Sequence, residues 1–411
     1  MASDDMIVGL DIGTTKVSAV VGEYDENDTL QITGVGESPS FGLRRGVVIN
    51  IESTLKSVNA AIEAAEQMAG REVDSVVTGI AGGHIEGLNS RGVVAVTGKG
   101  REITQTDVDR VIDAAKAVVI PMDREVLHVI PQEFIVDDQG GVRNPLDMIG
   151  VRLEAEVHII TGSVTSAQNL IKCINRAGFT VDDIVLQSLA SSRAVLSQDE
   201  QELGVLLIDL GGGTTDVLLH VEGAPYYTSV LPIGGAQVTS DLSIMLKTPM
   251  ESAETIKRES GCCYAALVEE GEPVIIPGVG GRPPLSARRS DIAGIIEPRM
   301  AEIFTLVRER IEKKGLINKL GGGVVLTGGG ALLTGAVELV QDIFQTAARV
   351  GQPGNLGGVA SNYQRPDYST AVGLLLYRDA LLRATGRDGE RKVKQPGMMQ
   401  GFKSWLRNFF D

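Results

Sequence analysis

A turn-rich α/β fold is predicted by three features of this sequence. A strand–glycine–threonine hairpin occurs twice, a third strand runs into a glycine turn, and the composition is rich in glycine and poor in aromatics. The first hairpin reads Ile7-Val8-Gly9-Leu10-Asp11-Ile12-Gly13-Thr14-Thr15-Lys16-Val17. The second reads Val205-Leu206-Leu207-Ile208-Asp209-Leu210-Gly211-Gly212-Gly213-Thr214-Thr215-Asp216-Val217. With 411 residues, 43% of them hydrophobic, 4% aromatic and 50 glycines, the chain is long enough for two or more cores.

Each residue type in the hairpins has a physical reason to be there. Glycines bring backbone N–H groups close to an anion, and β-branched strands on either side fix where the turn points. Thr14, Thr15, Thr214 and Thr215 add hydroxyl donors. Asp11 and Asp209 repel a phosphate by themselves, so they imply a hard cation, Mg²⁺, held largely through water. The third element, Gly322-Gly323-Val324-Val325-Leu326-Thr327-Gly328-Gly329-Gly330-Ala331, is again strand then glycine turn, with a helix expected from Leu332 to Thr346. A helix starting there directs free N–H groups into a cleft. Glu254 and Lys257 lie three apart on one helix face. Alone such a pair is commonly a surface salt bridge; in this order with the three loops it is placed to grip ribose hydroxyls and an adenine edge.

In this order the motifs resemble the actin-like ATPases. The resemblance implies two related α/β domains closing over ATP and Mg²⁺. The two Asp-Gly-Thr hairpins would serve as phosphate loops and Gly328-Gly329-Gly330 as the adenosine loop.

Along the chain, residues 6 to 50 alternate strand patterns with turns, and Ile51 to Ala69 reads as an amphipathic helix. A strand near Val73 to Ile80 follows. Strand patterns at Ile85–Thr97, Glu125–Val136 and Val151–Ile160, with a helix from about Thr106 to Val118, mark a β-rich block at 84–162. It is either an inserted subdomain or an extension of the main sheet. A helix from about Ser163 to Ala177, a strand ending near Gln187 and a helix from Ser188 to Leu196 resume the first domain. In the superfamily the residue at the end of this strand often orients the attacking water. Gln187 stands there, and an amide aligns water without accepting its proton, so slow hydrolysis at most is expected, with Asp209 holding the metal. The alternative role for Gln187 is interdomain hydrogen bonding.

From Val205 a second domain begins. Gly271 to Pro284 is loop-rich, and Asp291 to Lys314 is a long helix broken by Pro298. Arg282, Arg288, Arg289 and Arg299 form a basic cluster, either a docking site for an acidic peptide or a solvated face. Ser369-Thr370-Ala371-Val372-Gly373-Leu374-Leu375 resembles the second interdomain connection.

The net charge of −15 argues against nucleic acid as main partner. Cys173, Cys262 and Cys263 suit a reducing cytosol, and the four scattered histidines have no metal spacing. No apolar run approaches the roughly 18 residues of a membrane span, and Met1 to Met6 is no signal peptide, so a cytosolic body is expected.

The last thirty residues change the reading. Residues 384–398 read as a flexible linker and 399–411 as an amphipathic helix, with Phe402, Trp405, Leu406, Phe409 and Phe410 on one stripe flanked by Lys403 and Arg407. Such a helix lies flat in the interface of an anionic membrane. Each large side chain supplies about 2 kcal/mol as an upper bound, most of it opposed by ordering the segment. Docking on the protein's own body is the other reading of this stripe.

Inserted block and tail together resemble the FtsA family of bacterial cell-division proteins. Further carriers are Val279-Gly280-Gly281-Arg282-Pro283-Pro284, Ile296-Glu297-Pro298-Arg299 and Tyr368-Ser369-Thr370-Ala371-Val372-Gly373. The resemblance implies a first actin-like domain from 1–83, 163–204 and 365–383, an inserted subdomain at 84–162, a second domain from 205–243 and 299–364, and its subdomain at 244–298. It also implies head-to-tail polymerisation and binding of the FtsZ C-terminal peptide through Arg288, Arg289 and Arg299. FtsZ would thereby be tethered to the cytoplasmic face of the inner membrane at the division site, and later division proteins recruited. Rival readings are a PilM-like pilus-assembly adaptor and a sugar kinase-like phosphotransferase; for the latter no carboxylate base tied to a sugar pocket is found.

Overall fold

The computed structural model describes residues 6–97, 99–269, 271–358 and 362–385. Two five-stranded sheets of matching topology form its halves. In the first, β1 (Met6–Ile12), β2 (Lys16–Tyr24) and β3 (Leu30–Pro39) run antiparallel. A short ribbon of β4 (Leu43–Arg44) and β5 (Val47–Val48) leads into α1 (Ile51–Ala69), which crosses to β6 (Ser75–Ile80), parallel to β1. The α1 bounds are those expected. Asn50 caps its first turn by accepting from the Ser53 N–H, and Val58, Ala61, Ile62 and Ala65 are its buried stripe.

The β-rich block forms its own sheet and does not extend the first. β7 (Glu86–Ala95), β8 (Arg124–Val136), β9 (Gln139–Val142) and β10 (Arg152–Ser163) pair in the order β7-β10-β8-β9, with α2 (Gln105–Ala115) packed on one face. Phe134, Ile112 and Leu153 belong to a core of its own. The chain returns through α3 (Val164–Arg176) to β11 (Thr180–Leu186), completing the order β11-β6-β1-β2-β3.

Next come α4 (Gln187–Val195) and α5 (Gln198–Leu203), so Gln187 opens a helix where a strand end was expected. The second sheet, β14-β13-β12-β17-β18, repeats the first: β12 (Val205–Leu210), β13 (Thr215–Val221) and β14 (Ala224–Leu231) are antiparallel. After α6 (Gly235–Leu246), α7 (Met250–Ser260) and a ribbon of β15 (Val274–Ile276) and β16 (Leu285–Ala287) comes α8 (Arg289–Lys313). Pro298 does not break α8. It removes one backbone bond, to the carbonyl of Gly294, beside which a side chain would meet open space. Buried residues on both sides of it, Ile292, Ile296, Ile303 and Phe304, hold both halves of the helix to one core.

β17 (Val324–Thr327) is followed by a single 3-10 turn, Gly329–Leu332. The helix expected from Leu332 starts only at α9 (Ala336–Phe344), because Gly335 adopts φ 84° and interrupts the path. β18 (Ala348–Val350) and α10 (Ser369–Thr385) close the described chain. The linker expected at 384–398 therefore starts inside α10; its remainder and the helix at 399–411, with Phe402, Lys403, Trp405, Leu406, Arg407, Phe409 and Phe410, lie outside the described residues. No helix among the described residues is long and apolar enough to cross a membrane.

The α4 and α10 helices cross between the halves at very close range. The block also bonds to the second half: Gln132 Nε2 donates to Pro225 O at 3.0 Å, Arg143 Nη2 donates to Glu222 O at 3.4 Å, and His158 Nε2 lies 2.8 Å from Thr228 Oγ1. Beside it His220 is 4% exposed, its ring nitrogens lack a well-formed hydrogen bond, and burial pushes its pKa down to about 4. The unfolded chain therefore binds a proton at this residue below about pH 6.5 that the fold does not. Stability from a neutral His220 is present above that pH and is lost as pH falls toward 4. His220→Leu is expected to gain about 1.4 kcal/mol more at pH 5.5 than at pH 7.5, read by urea denaturation at both values; equal effects would refute a neutral buried imidazole.

Candidate functional site

The hairpin register decides which predicted residues face the cleft. In the first hairpin the Gly13 N–H donates to Lys16 O at 2.9 Å; in the second, the Gly211 N–H donates to Thr214 O at 3.0 Å. The turns therefore superpose Gly13 on Gly211 and Lys16 on Thr214, so that Thr14 and Thr15 correspond to Gly212 and Gly213. Thr215 is already in the returning strand, opposite Leu210 as Val17 is opposite Ile12. That corrects the expectation for Thr215: it does not line the cleft, and its hydroxyl donates to Ile233 O at 2.8 Å.

The two loops press tip to tip. A Cβ on Gly212 would come 2.4 Å from Thr15 Cγ2, and one on Gly213 2.5 Å from Thr14 Oγ1. Only glycine admits that approach. Around this contact lies a cavity of about 840 Å³ lined by Asp11, Gly13, Thr14, Thr15, Lys16, Gln187, Asp209, Gly211, Gly212, Gly213, Thr214, Glu254, Lys257, Gly328, Gly329 and Gly330. Apart from Thr215, every residue expected to touch nucleotide or metal is there. At its far end Lys257 Nζ bonds Glu254 at 2.6 Å and Thr239 Oγ1 at 2.9 Å, which fixes both on the wall formed by α6 and α7.

Carboxylates dominate the hairpin end. Asp216, not assigned a role from sequence, faces Asp209 directly across β12 and β13, where the first hairpin has Ser18 facing Asp11. Like charges directly opposite destabilise a sheet. Burial, then the charge of Asp209, raises the Asp11 carboxyl to about 7 despite Lys16. Burial, then Asp209, lifts Asp216 to about 8, and its Oδ1 is buried without a partner. Burial also raises Asp209, opposed by hydrogen bonds from Ser191 Oγ at 2.5 Å and Thr370 Oγ1 at 3.2 Å. Gln187 Nε2 donates to Asp11 Oδ1 at 2.8 Å, a bond that stays within the first half and orients the amide at the cleft floor.

Among the described residues no group of three carboxylates, cysteines or histidines is close enough to ligate one ion directly. Buried acids with raised pKa values and one orphaned oxygen nonetheless match a hydrated divalent cation, which would neutralise them through its water shell. Ser191 and Thr370 have no site role in the sequence reading, although Thr370 stands in the segment read as the second interdomain connection; they reach Asp209 only because α4 and α10 cross beneath it.

The expected arginine cluster is not one patch. Arg289 starts α8 and Arg299 lies about 15 Å further along it. Arg288 pairs with Asp291 at 3.0 Å, while Arg299 pairs with Asp241 at 2.6 Å and with Glu302. Only Arg299 lines the surface groove of about 410 Å³ between α6 and α8, with Ile244, Met245, Ile295 and Pro298.

Comparison with known proteins places the molecule. A sequence profile for the SHS2 domain inserted in FTSA matches residues 82–161, and one for cell division protein FtsA matches 206–373. Cell division protein FtsA of Borreliella burgdorferi is 49% identical over 412 residues, covering 98% of this chain and 100% of the relative. The chain belongs to the FtsA family of cell division proteins. Other FtsA proteins agree: that of Pseudomonas aeruginosa is 49% identical over 99% of both chains, and that of Escherichia coli K12 41% identical over 98% of both. Solved structures carry the fold alone. The PilM-PilN type IV pilus biogenesis complex matches with TM-score 0.64 at 16% identity over 91% of this chain and 98% of its own. MreB 5 of Spiroplasma citri bound to AMPPNP matches with TM-score 0.57 at 14% identity over 94% and 100%. The fold of this FtsA-family chain is that of the actin-like ATPases with the FtsA insert.

Proposed function

We propose that this chain binds Mg²⁺-ATP in the cleft between its halves and, in that state, polymerises head to tail to tether FtsZ to the cytoplasmic face of the inner membrane. The observation that carries this reading is the single cavity shared by both hairpins, the third glycine turn and the Glu254–Lys257 pair. Gly13, Thr14, Thr15 and Lys16 with Gly211 to Thr214 would hold phosphates, and Glu254, Lys257 and Gly328 to Gly330 the nucleoside. Asp11, Asp209 and Asp216 would hold hydrated Mg²⁺, which supplies neutralising charge there. Gln187, tied to Asp11, has its carbonyl left to orient a water but cannot take its proton, so the site is a clamp with slow hydrolysis at most. The division of the chain proposed from its sequence, with the insert at 84–162 and the smaller subdomain at 244–298, gives the clamp its moving parts.

The groove along α6 and α8 supports FtsZ-peptide docking at Arg299, with Ile244 and Met245 offering exposed apolar surface. Because Asp241 and Glu302 already neutralise Arg299, an acidic peptide must displace them. Arg288 and Arg289 would act at the helix start. The tail stripe from Phe402 to Phe410 would be the lipid contact, with polymerisation adding avidity and later division proteins joining the assembled filament.

The deciding experiment is co-sedimentation with anionic vesicles, with Mg²⁺-ATP and with FtsZ, for the full chain and a version ending at Arg383. FtsZ is expected in the pellet only with the full chain, and more of it with ATP. Equal pelleting of the shortened chain would sink the membrane tether.

A further inference from the structure

Among the described residues three cationic side chains line the cavity: Lys257 and Arg258 come from α7, and Lys16 comes from a hairpin. Its ammonium is already engaged. Lys16 Nζ donates to Asp367 Oδ2 at 2.9 Å, lies 3.6 Å from Glu37 and sits 3.7 Å over the Tyr368 ring, whose hydroxyl bonds Glu37. Asp367 lines the same cavity, and its Oδ1 is buried without a partner.

Asp367 also stands at a junction. It lies in the 3-10 turn Pro366–Tyr368 that starts α10. The carbonyl of its neighbour Pro366 accepts from the Gly328 N–H at 3.1 Å and from Thr327 Oγ1 at 3.3 Å, on the third glycine turn. Three residues on, Thr370 reaches Asp209 on the second hairpin. One short segment is thus bonded to all three loops of the cleft, and the Lys16–Asp367 pair is its link to the first.

We propose that Asp367 is a positioning residue that holds Lys16 until nucleotide phosphate takes its place, so that phosphate occupancy releases the start of α10. This rests on the nucleotide reading above and deepens it. A carboxylate and a phosphate compete for one ammonium, and the more highly charged phosphate wins only by replacing a partly buried charged hydrogen bond. Asp367 therefore lowers affinity for phosphorylated nucleotides and leaves that for the bare nucleoside alone. It makes the hairpin respond to phosphate rather than to any ligand that fills the cavity.

The test is calorimetric titration of the full chain with Mg²⁺-ATP and, separately, with adenosine. Asp367→Asn is expected to bind ATP about tenfold tighter, the worth of one such hydrogen bond, with adenosine affinity unchanged. In a Lys16→Met background the same substitution should have no effect. Asp367→Ser gives the same readout should the asparagine variant fold poorly. Unchanged or weaker ATP binding, or a gain that persists without Lys16, overturns the proposal while leaving the nucleotide site standing. Failure of the unmodified chain to bind ATP removes both.

Discussion

Asp209→Ala is expected to weaken Mg²⁺-nucleotide binding by at least about 100-fold, roughly 3 kcal/mol. Asp209 is the carboxylate common to the whole acidic end: it faces Asp216 across the hairpin, raises Asp11 by its charge, and takes the hydroxyls of Ser191 and Thr370. Without a cation, ionising Asp11 or Asp216 beside Asp209 costs stability, so the same substitution should not lower, and can raise, the stability of the metal-free protein. A purely structural Asp209 would lose stability together with affinity. Asp11 and Asp216, raised to about 7 and about 8, must give up protons when a cation arrives. Mg²⁺ affinity should accordingly climb from pH 6.5 to pH 8.5 in the unmodified chain. Fluorescent-nucleotide titrations across that range, with and without EDTA, check both statements, and a flat pH profile would exclude these carboxylates from the metal site.

Gly373→Ala should destabilise the fold by about 3 kcal/mol or more, at the upper end for overpacking a core. A Cβ at this position would lie 1.9 Å from Ala190 O and 2.3 Å from its carbonyl carbon, so α10 cannot keep its present distance from α4. Alanine in place of glycine gains up to about 1 kcal/mol of helix propensity, which the steric term outweighs. Because the same crossing positions Ser191 and Thr370 under Asp209, nucleotide affinity should fall with stability. Urea denaturation reads the first effect and titration the second; a variant as stable as the parent would mean that the helices do not cross this closely.

Much of the site was legible because its parts are short and local. The hairpins announce themselves through glycines and threonines between apolar strands, and Glu254 and Lys257 share a face because helical spacing alone puts them there. The misreading of Thr215 has a specific cause. Matching the threonine pairs as letters slides the second turn by two residues, whereas the backbone bonds from Gly13 and Gly211 set the true register. Pro298 reads as a helix break because its local rule is strong; burial of the α8 stripe on both sides overrides it. The delayed start of α9 turns on a single left-handed glycine, Gly335, that no periodicity announces.

By itself the sequence determined the fold class, the duplicated hairpins, the β-rich block and the glycines, threonines and carboxylates that stand at the hairpin turns, since these follow from backbone freedom and charge at fixed spacing. Only the tertiary structure decided which of those side chains meet. It set Asp216 against Asp209, brought Ser191 and Thr370 beneath them, and joined Lys16 to Asp367 across 351 residues of chain. Those meetings depend on strand register and on one helix crossing close enough to require Gly373, and contact between residues so distant in sequence leaves no periodic trace in it.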